Sequence, residues 1–157
     1  MKTPRSASRA TATAPAAVIE SVIGYLLAQA AVTAGVVFER EVGAPLQLRP
    51  VEYTILSLLR EQPGLSSARL AQLLAVTAPN ITAWVDRLAK RGWVERKPSA
   101  TDRRERELHA TAEGAALAEQ ATHRLLAAER QAFTQLTSGE RAILVELLQK
   151  LGRRDAE

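Results

Sequence analysis

Residues 77 to 98 read Thr77-Ala-Pro-Asn-Ile-Thr-Ala-Trp-Val-Asp-Arg-Leu-Ala-Lys-Arg-Gly-Trp-Val-Glu-Arg-Lys-Pro98, followed by Ser99-Ala-Thr-Asp-Arg-Arg-Glu-Arg-Glu-Leu-His-Ala-Thr111. The first part is punctuated as a short helix. Thr77 stands where a hydroxyl caps a helix by accepting a backbone N–H. Pro79 falls in the first turn, where a missing N–H costs little. Ile81, Val85 and Leu88 recur at helical spacing and predict a buried stripe, with Trp84 beside it as core rather than contact. Asn80, Thr82, Ala83, Asp86, Arg87 and Lys90 fall off that stripe. Gly92 stops the helix, and Lys90 and Arg91 sit in its last turn, where cations suit the dipole.

The second part predicts a hairpin. Trp93 to Lys97 suits a strand, Pro98 to Asp102 is turn material, and Arg104 to His109 returns with Leu108 as the inward anchor. Arg96, Lys97, Arg103, Arg104 and Arg106 crowd this small element. A helix followed at once by an Arg-tipped hairpin predicts a DNA reader. The helix fits a major groove, and the hairpin reaches the neighbouring minor groove or backbone. Asn pairs bidentately with adenine, and Thr hydrogen-bonds or touches a thymine methyl, so Asn80 and Thr82 are candidate base readers. Arg87 and Lys90 are candidates for phosphates, which position without specifying. Two plainer alternatives stay open. The polar residues could be simply solvated, and Glu95, Asp102, Glu105 and Glu107 could balance the hairpin's charge.

Working outward, Pro50 opens a preceding helix whose buried face is Val51, Ile55, Leu58 and Leu59. Gln62 to Leu65 reads as a loop. Ser66 or Ser67 caps the next helix, which holds Leu70, Leu73 and Leu74, and Ala75-Val76 is the tight turn into the 77–90 helix. Further upstream, Val18, Ile19, Val22, Ile23, Leu26 and Leu27 form an amphipathic stripe, and Glu39 to Arg49 reads as a connection through Gly43 and Pro45. Residues 1–15 read as a disordered tail. Downstream, Thr111 caps a long helix expected to run to about Leu136, with Leu117, Ala121, Leu125 and Ala128 inward. Thr137-Ser-Gly-Glu140 is a capping box. The last helix carries Ile143, Leu144, Leu147, Leu148 and Leu151. The terminal helices hold more apolar surface than one small domain covers, so they are expected to interleave with a second copy; an intramolecular bundle is the alternative.

The expected fold is mainly α with a small β-hairpin wing: a winged helix-turn-helix at 50–111, flanked by dimerisation segments at 16–49 and 112–157. At 157 residues and 46% hydrophobic content, the chain has material for one core. Its net charge of +4 suits an anionic partner, though Lys2, Arg5 and Arg9 place part of the excess in the tail. The absence of Cys excludes disulfides, thiolate catalysis and cysteine redox sensing. The apolar run 18–38 is interrupted by Glu20 and Gln29 and reads as an amphipathic helix rather than a membrane span. His109 and His123 are isolated from any metal set, and there is no His-Glu-x-x-His pair, P-loop or nucleophile elbow. No cofactor, metal or catalytic role is expected.

The residues resemble the MarR family of winged helix-turn-helix regulators. The resemblance rests on Leu70-Ala-Gln-Leu-Leu74, Asn80-Ile-Thr82, Val85-Asp-Arg-Leu88, Lys90-Arg-Gly-Trp-Val-Glu-Arg96, Asp102-Arg-Arg104 and Thr111-Ala-Glu-Gly114, in that order. It implies a cytoplasmic bacterial homodimer on a pseudo-palindromic DNA operator, usually a repressor released by a small ligand, often an aromatic or phenolic acid. The DNA-facing set it implies is Thr77, Pro79, Asn80, Thr82, Ala83, Arg87 and Lys90 from the helix, with Arg96, Asp102, Arg103 and Arg104 from the hairpin. Asp102 would orient one of the two arginines. Tyr25, Phe38 and Tyr53 are the implied ligand-site candidates, with ordinary core packing as their alternative. Ala83 departs from the family, which often has Arg there. Trp84 is bulkier than the usual aliphatic, and Ala110 replaces a usual Leu. A constitutive DNA binder without effector and a protein-interaction module are the rival readings.

Overall fold

The computed structural model describes residues 18–99 and 106–152. The expected tail, Asp102, Arg103 and Arg104 lie outside the described residues. The chain divides into two compact units, Met1–Thr33 and Ala34–Glu157.

A short 3-10 turn, Val18–Ser21, leads into helix α1, Ile23–Phe38, whose residues up to Thr33 belong to the N-terminal unit. The expected apolar stripe is there and faces outward: Val18, Ile19, Val22, Ile23, Leu26, Leu27 and Val32 are 40–85% exposed.

In the second unit the helical path does not stop at Phe38. It continues through a π-helical turn, Glu39–Gly43, and one α-turn, Ala44–Leu46. The expected connection over 39–49 is therefore mostly helical. Phe38 and Val42 are both buried, so the apolar stripe extends past the point where the sequence looks broken. Pro45 lies in the first turn of its short segment, where no N–H is missed. The chain turns away only at Gln47, with φ of 49°.

Helix α2, Pro50–Glu61, buries Ile55, Leu56 and Leu59. Leu65–Ser66, expected as loop and cap, forms a short strand β1. Ser66 also caps helix α3, Ser67–Leu74, by accepting from the Arg69 N–H at 3.2 Å. Leu70 is buried, whereas Leu73 is exposed. Ala75 takes the left-handed conformation, φ of 54°, and makes the turn into helix α4, Ala78–Lys90. Ile81, Val85 and Leu88 are fully buried, as the spacing predicts.

Strands β2, Val94–Pro98, and β3, Arg106–Ala110, form the hairpin. The sheet order is β1-β3-β2, antiparallel, with Leu65 opposite Leu108 and Arg96 opposite Leu108 on the other side. Leu108 is fully buried and anchors the wing.

Helix α5, Ala112–Ala132, starts at Thr111, whose hydroxyl accepts from the Gly114 N–H at 3.1 Å. It ends four residues before the expected Leu136. Arg141 ties down this end: its guanidinium donates to the carbonyls of Glu129 and Phe133 at 3.2 and 3.1 Å. The inner face of α5 is made of small residues, Gly114, Ala118, Ala121 and Ala128, with Leu117 and Leu125 only half-buried against the core. Helix α6, Ser138–Gly152, begins with the expected capping box. Its Ile143, Leu144, Val145, Leu147, Leu148 and Leu151 are 41–60% exposed. Among the described residues, no helix is long and apolar enough to cross a membrane, and no cluster of His, Asp and Glu is set to hold a metal ion.

Candidate nucleic-acid interface

Helix α4 has one face locked into the core and the opposite face in solvent. Thr77, Pro79, Asn80, Thr82, Ala83 and Lys90 are exposed; Arg87 is half-buried. Asn80, Ala83, Arg87 and Lys90 fall at i, i+3, i+7 and i+10, on one stripe. Ala78 and Pro79 keep the first turn slim. Trp84 is half-buried and packs against the core, as expected.

Two of the candidate side chains are already engaged. The Thr82 hydroxyl donates to the Ala78 carbonyl at 3.2 Å. Its methyl group and lone pairs remain available, so it can meet a thymine methyl or accept from a base amine, but it is no free donor. Arg87 donates from Nε to Glu52 Oε1 at 3.1 Å. Glu52 is 3% exposed, and its other oxygen accepts from the Arg49 backbone N–H at 3.1 Å. One carboxylate thus caps α2 and fixes a cation of α4. Sequence reasoning missed Glu52. The signal was present: a Glu three residues after the residue that precedes a helix-opening Pro is the acid of a capping box.

Thr77 occupies the N-cap position with extended backbone, yet its hydroxyl makes no cap bond. This corrects the expected capping. Pro79 has no N–H to give, and the Asn80 N–H already donates to the Thr77 carbonyl at 3.1 Å. The hydroxyl has no donor left to accept from.

The wing is strapped to the helix that precedes it. Arg96 of β2 pairs with Asp86 of α4 at 2.6 Å, and Lys97 pairs with Glu95 at 2.8 Å. Part of the hairpin's charge is therefore balanced by its own acids. At the wing's root, Gly92 takes φ of 77°, the Arg91 guanidinium lies 3.6 Å from the Trp93 ring centroid, and Trp93 Nε1 donates to Glu113 at 3.1 Å. Thr111 donates its N–H to the Trp93 carbonyl at 3.0 Å and its hydroxyl to the Gly92 carbonyl at 2.8 Å.

Of the ligand-site candidates, Phe38 and Tyr53 come together, with ring centroids 5.9 Å apart and tilted by 53°. The Tyr53 hydroxyl meets Thr122 Oγ1 of α5 at 2.9 Å. Tyr25, half-buried, belongs to the N-terminal unit.

The sequence pattern of the MarR family matches residues 48–105. An HTH-type transcriptional repressor of Mycobacterium tuberculosis is 35% identical over 133 residues, spanning 83% of this chain and 93% of that protein. The multiple antibiotic resistance protein MarR of Escherichia coli is 34% identical over 110 residues, spanning 69% of this chain and 76% of that protein. Among solved structures, the transcriptional repressor CouR bound to a 23-mer DNA duplex superposes with a TM-score of 0.77 at 29% identity, covering 86% of this chain and 95% of CouR. The chain belongs to the MarR family of winged helix-turn-helix transcriptional regulators.

Proposed function

We propose that the chain acts as a homodimeric repressor on a pseudo-palindromic operator, with residues 50–111 contacting DNA and the segments 16–49 and 112–157 pairing the two copies. The observation that carries the reading is the exposed stripe of α4 that begins at Asn80, rigidly backed by Ile81, Val85 and Leu88. Two such helices would occupy successive major grooves, about 34 Å apart. Asn80 and Thr82 read base edges, Ala83 offers a methyl group where a longer side chain would reach further, and Lys90 meets phosphate. Arg87 serves with its pairing to Glu52 in place, and Arg96 holds the wing so that Asp102, Arg103 and Arg104 address the minor groove. Thr77 and Pro79 shape the end of the helix that approaches the DNA. The CouR complex with duplex DNA supports this assignment by likeness of fold.

Release by a small aromatic acid completes the reading, with Phe38 and Tyr53 as the residues to test first and Tyr25 as a further candidate. A ligand acts only through a difference in its affinity for the DNA-competent and incompetent arrangements of the two heads. No catalytic role is assigned, and the cytoplasm is the compartment in which such a regulator works.

Fluorescence anisotropy with duplex from the protein's own upstream region tests the reading, against a scrambled duplex and across salt. Selective binding that weakens steeply with salt is expected. Absence of binding to any duplex at low salt would overturn it and favour a protein-interaction module. A panel of aromatic acids that never shifts the affinity would leave a constitutive DNA binder.

A further inference from the structure

Two helix ends meet at an open cleft of about 410 Å³ lined by Gln47, Arg49, Glu52, Arg87, Lys90 and Arg91. Four cations face one carboxylate, and that carboxylate is occupied internally. Glu52 holds Arg87 Nε with one oxygen and the Arg49 N–H with the other. Arg87 Nη2 is enclosed by protein and has no hydrogen-bond partner. Arg91 is pinned over Trp93 and donates to the Gln47 carbonyl at 2.6 Å. Lys90 is exposed and makes no ion pair among the described residues. The start of α2 brings the positive end of its dipole and the end of α4 the negative end of its own, so the side-chain cations set the potential. The lining contains no aromatic residue. These donors suit an oxyanion and offer little to an apolar ring.

The cleft has a defined place relative to the base-reading residues. Arg87 and Lys90 share a stripe with Asn80, and Arg87 lies seven residues further along α4, roughly 10 Å at the helical rise. The major groove is roughly 12 Å wide. With Asn80 at the base edges, the cleft lies at the border of the groove, where backbone phosphates run.

We propose that this cleft seats a phosphodiester of the DNA backbone, with Arg49 and Lys90 as the contacting cations and Glu52 as the residue that positions Arg87. The proposal rests on the DNA-binding reading above and deepens it by adding the beginning of α2 to the contact surface. The chemistry shared with a free phosphate is the same, so the test separates the two sources.

The test uses the full chain, fluorescent random-sequence duplex and a salt titration. Arg49→Gln and Lys90→Gln are compared with Lys150→Gln, which removes the same charge from α6, where Lys150 pairs with Glu146. Each cleft variant is expected to flatten the slope of log K against log salt by roughly 0.9 per DNA-binding head. Each should weaken random and own-upstream duplexes by the same factor. Lys150→Gln should leave the slope alone, and Arg49→Lys and Lys90→Arg should restore it. Wild-type slopes in both Gln variants would overturn the cleft while sparing the DNA reading. Equal flattening in Lys150→Gln would reduce the effect to net charge and overturn the cleft as well. Failure of the wild-type chain to bind any duplex would overturn both. Saturable binding of inorganic phosphate that Lys90→Gln abolishes, with unchanged DNA slopes, would reassign the cleft to a free anion.

Discussion

Thr77 and Thr111 hold the same position at the starts of two helices, and only Thr111 caps through its side chain. The difference follows from the residues downstream. Gly114 offers Thr111 a free N–H, whereas Pro79 has none and Asn80 has given its own to the Thr77 carbonyl. Thr111→Ala is therefore expected to cost about 1 kcal/mol, read from the urea midpoint, while Thr77→Ala costs a few tenths at most. Equal losses would show that the Thr77 hydroxyl does cap. Glu52 supports two groups at once, so Glu52→Ala should cost about 2 kcal/mol through the lost cap and the released Arg87, moderated because Arg87 is partly in water. Glu52→Gln keeps a side chain able to accept from the Arg49 N–H and should lose less. At this scale the sequence tells which residue types stand where. It does not tell which bonds close, because that depends on which donors are already in use.

The capping box of α6 is legible in four letters and forms as read. Thr137 donates its N–H and hydroxyl to Glu140 at 2.9 and 2.7 Å, and Glu140 donates its N–H back at 3.3 Å. The Thr137 hydroxyl, and then its backbone amide, hold the Glu140 carboxyl below its ordinary value. A carboxylate lowered on folding contributes stability that is complete above its unfolded value and lost as pH falls through the folded one. Acidification through that interval should fray the start of α6, seen as faster hydrogen exchange there, and Glu140→Gln should remove the pH dependence. A fray that persists unchanged in Glu140→Gln would place its origin elsewhere. Other elements were less legible. Helices with three-to-four spacing and a Gly or Pro at the border, such as α2 and α4, are plain in the sequence. The turn through Glu39–Leu46 is not, because Gly43 and Pro45 signal a break that burial of Val42 overrides. Strand β1 spans two residues, too short for an alternating pattern; its pairing with Leu108 and Glu107 of the hairpin defines it.

For the molecule as a whole, the decisive feature is the apolar surface left in solvent on α1 and, separately, on α6. Exposed apolar area on this scale marks association surfaces. In the paired reading, Leu147→Asp together with Leu148→Asp should shift the chain to a monomer in sedimentation equilibrium, with a steep loss of operator affinity and little change to the DNA-binding fold. Retention of the dimer would move the pairing surface elsewhere. In the single chain these faces stay exposed; the sequence alone could not separate a bundle within one chain from pairing between two, because both demand the same stripes.

Gly114 has one further consequence. Any side chain there would run into the backbone of Trp93, and Thr111 is already bonded to Gly92 and Trp93. The end of α4, the root of the wing and the start of α5 are therefore joined without slack. A side chain introduced at Gly114 would therefore disturb three elements at once, because the space it needs is the backbone on which all of them meet.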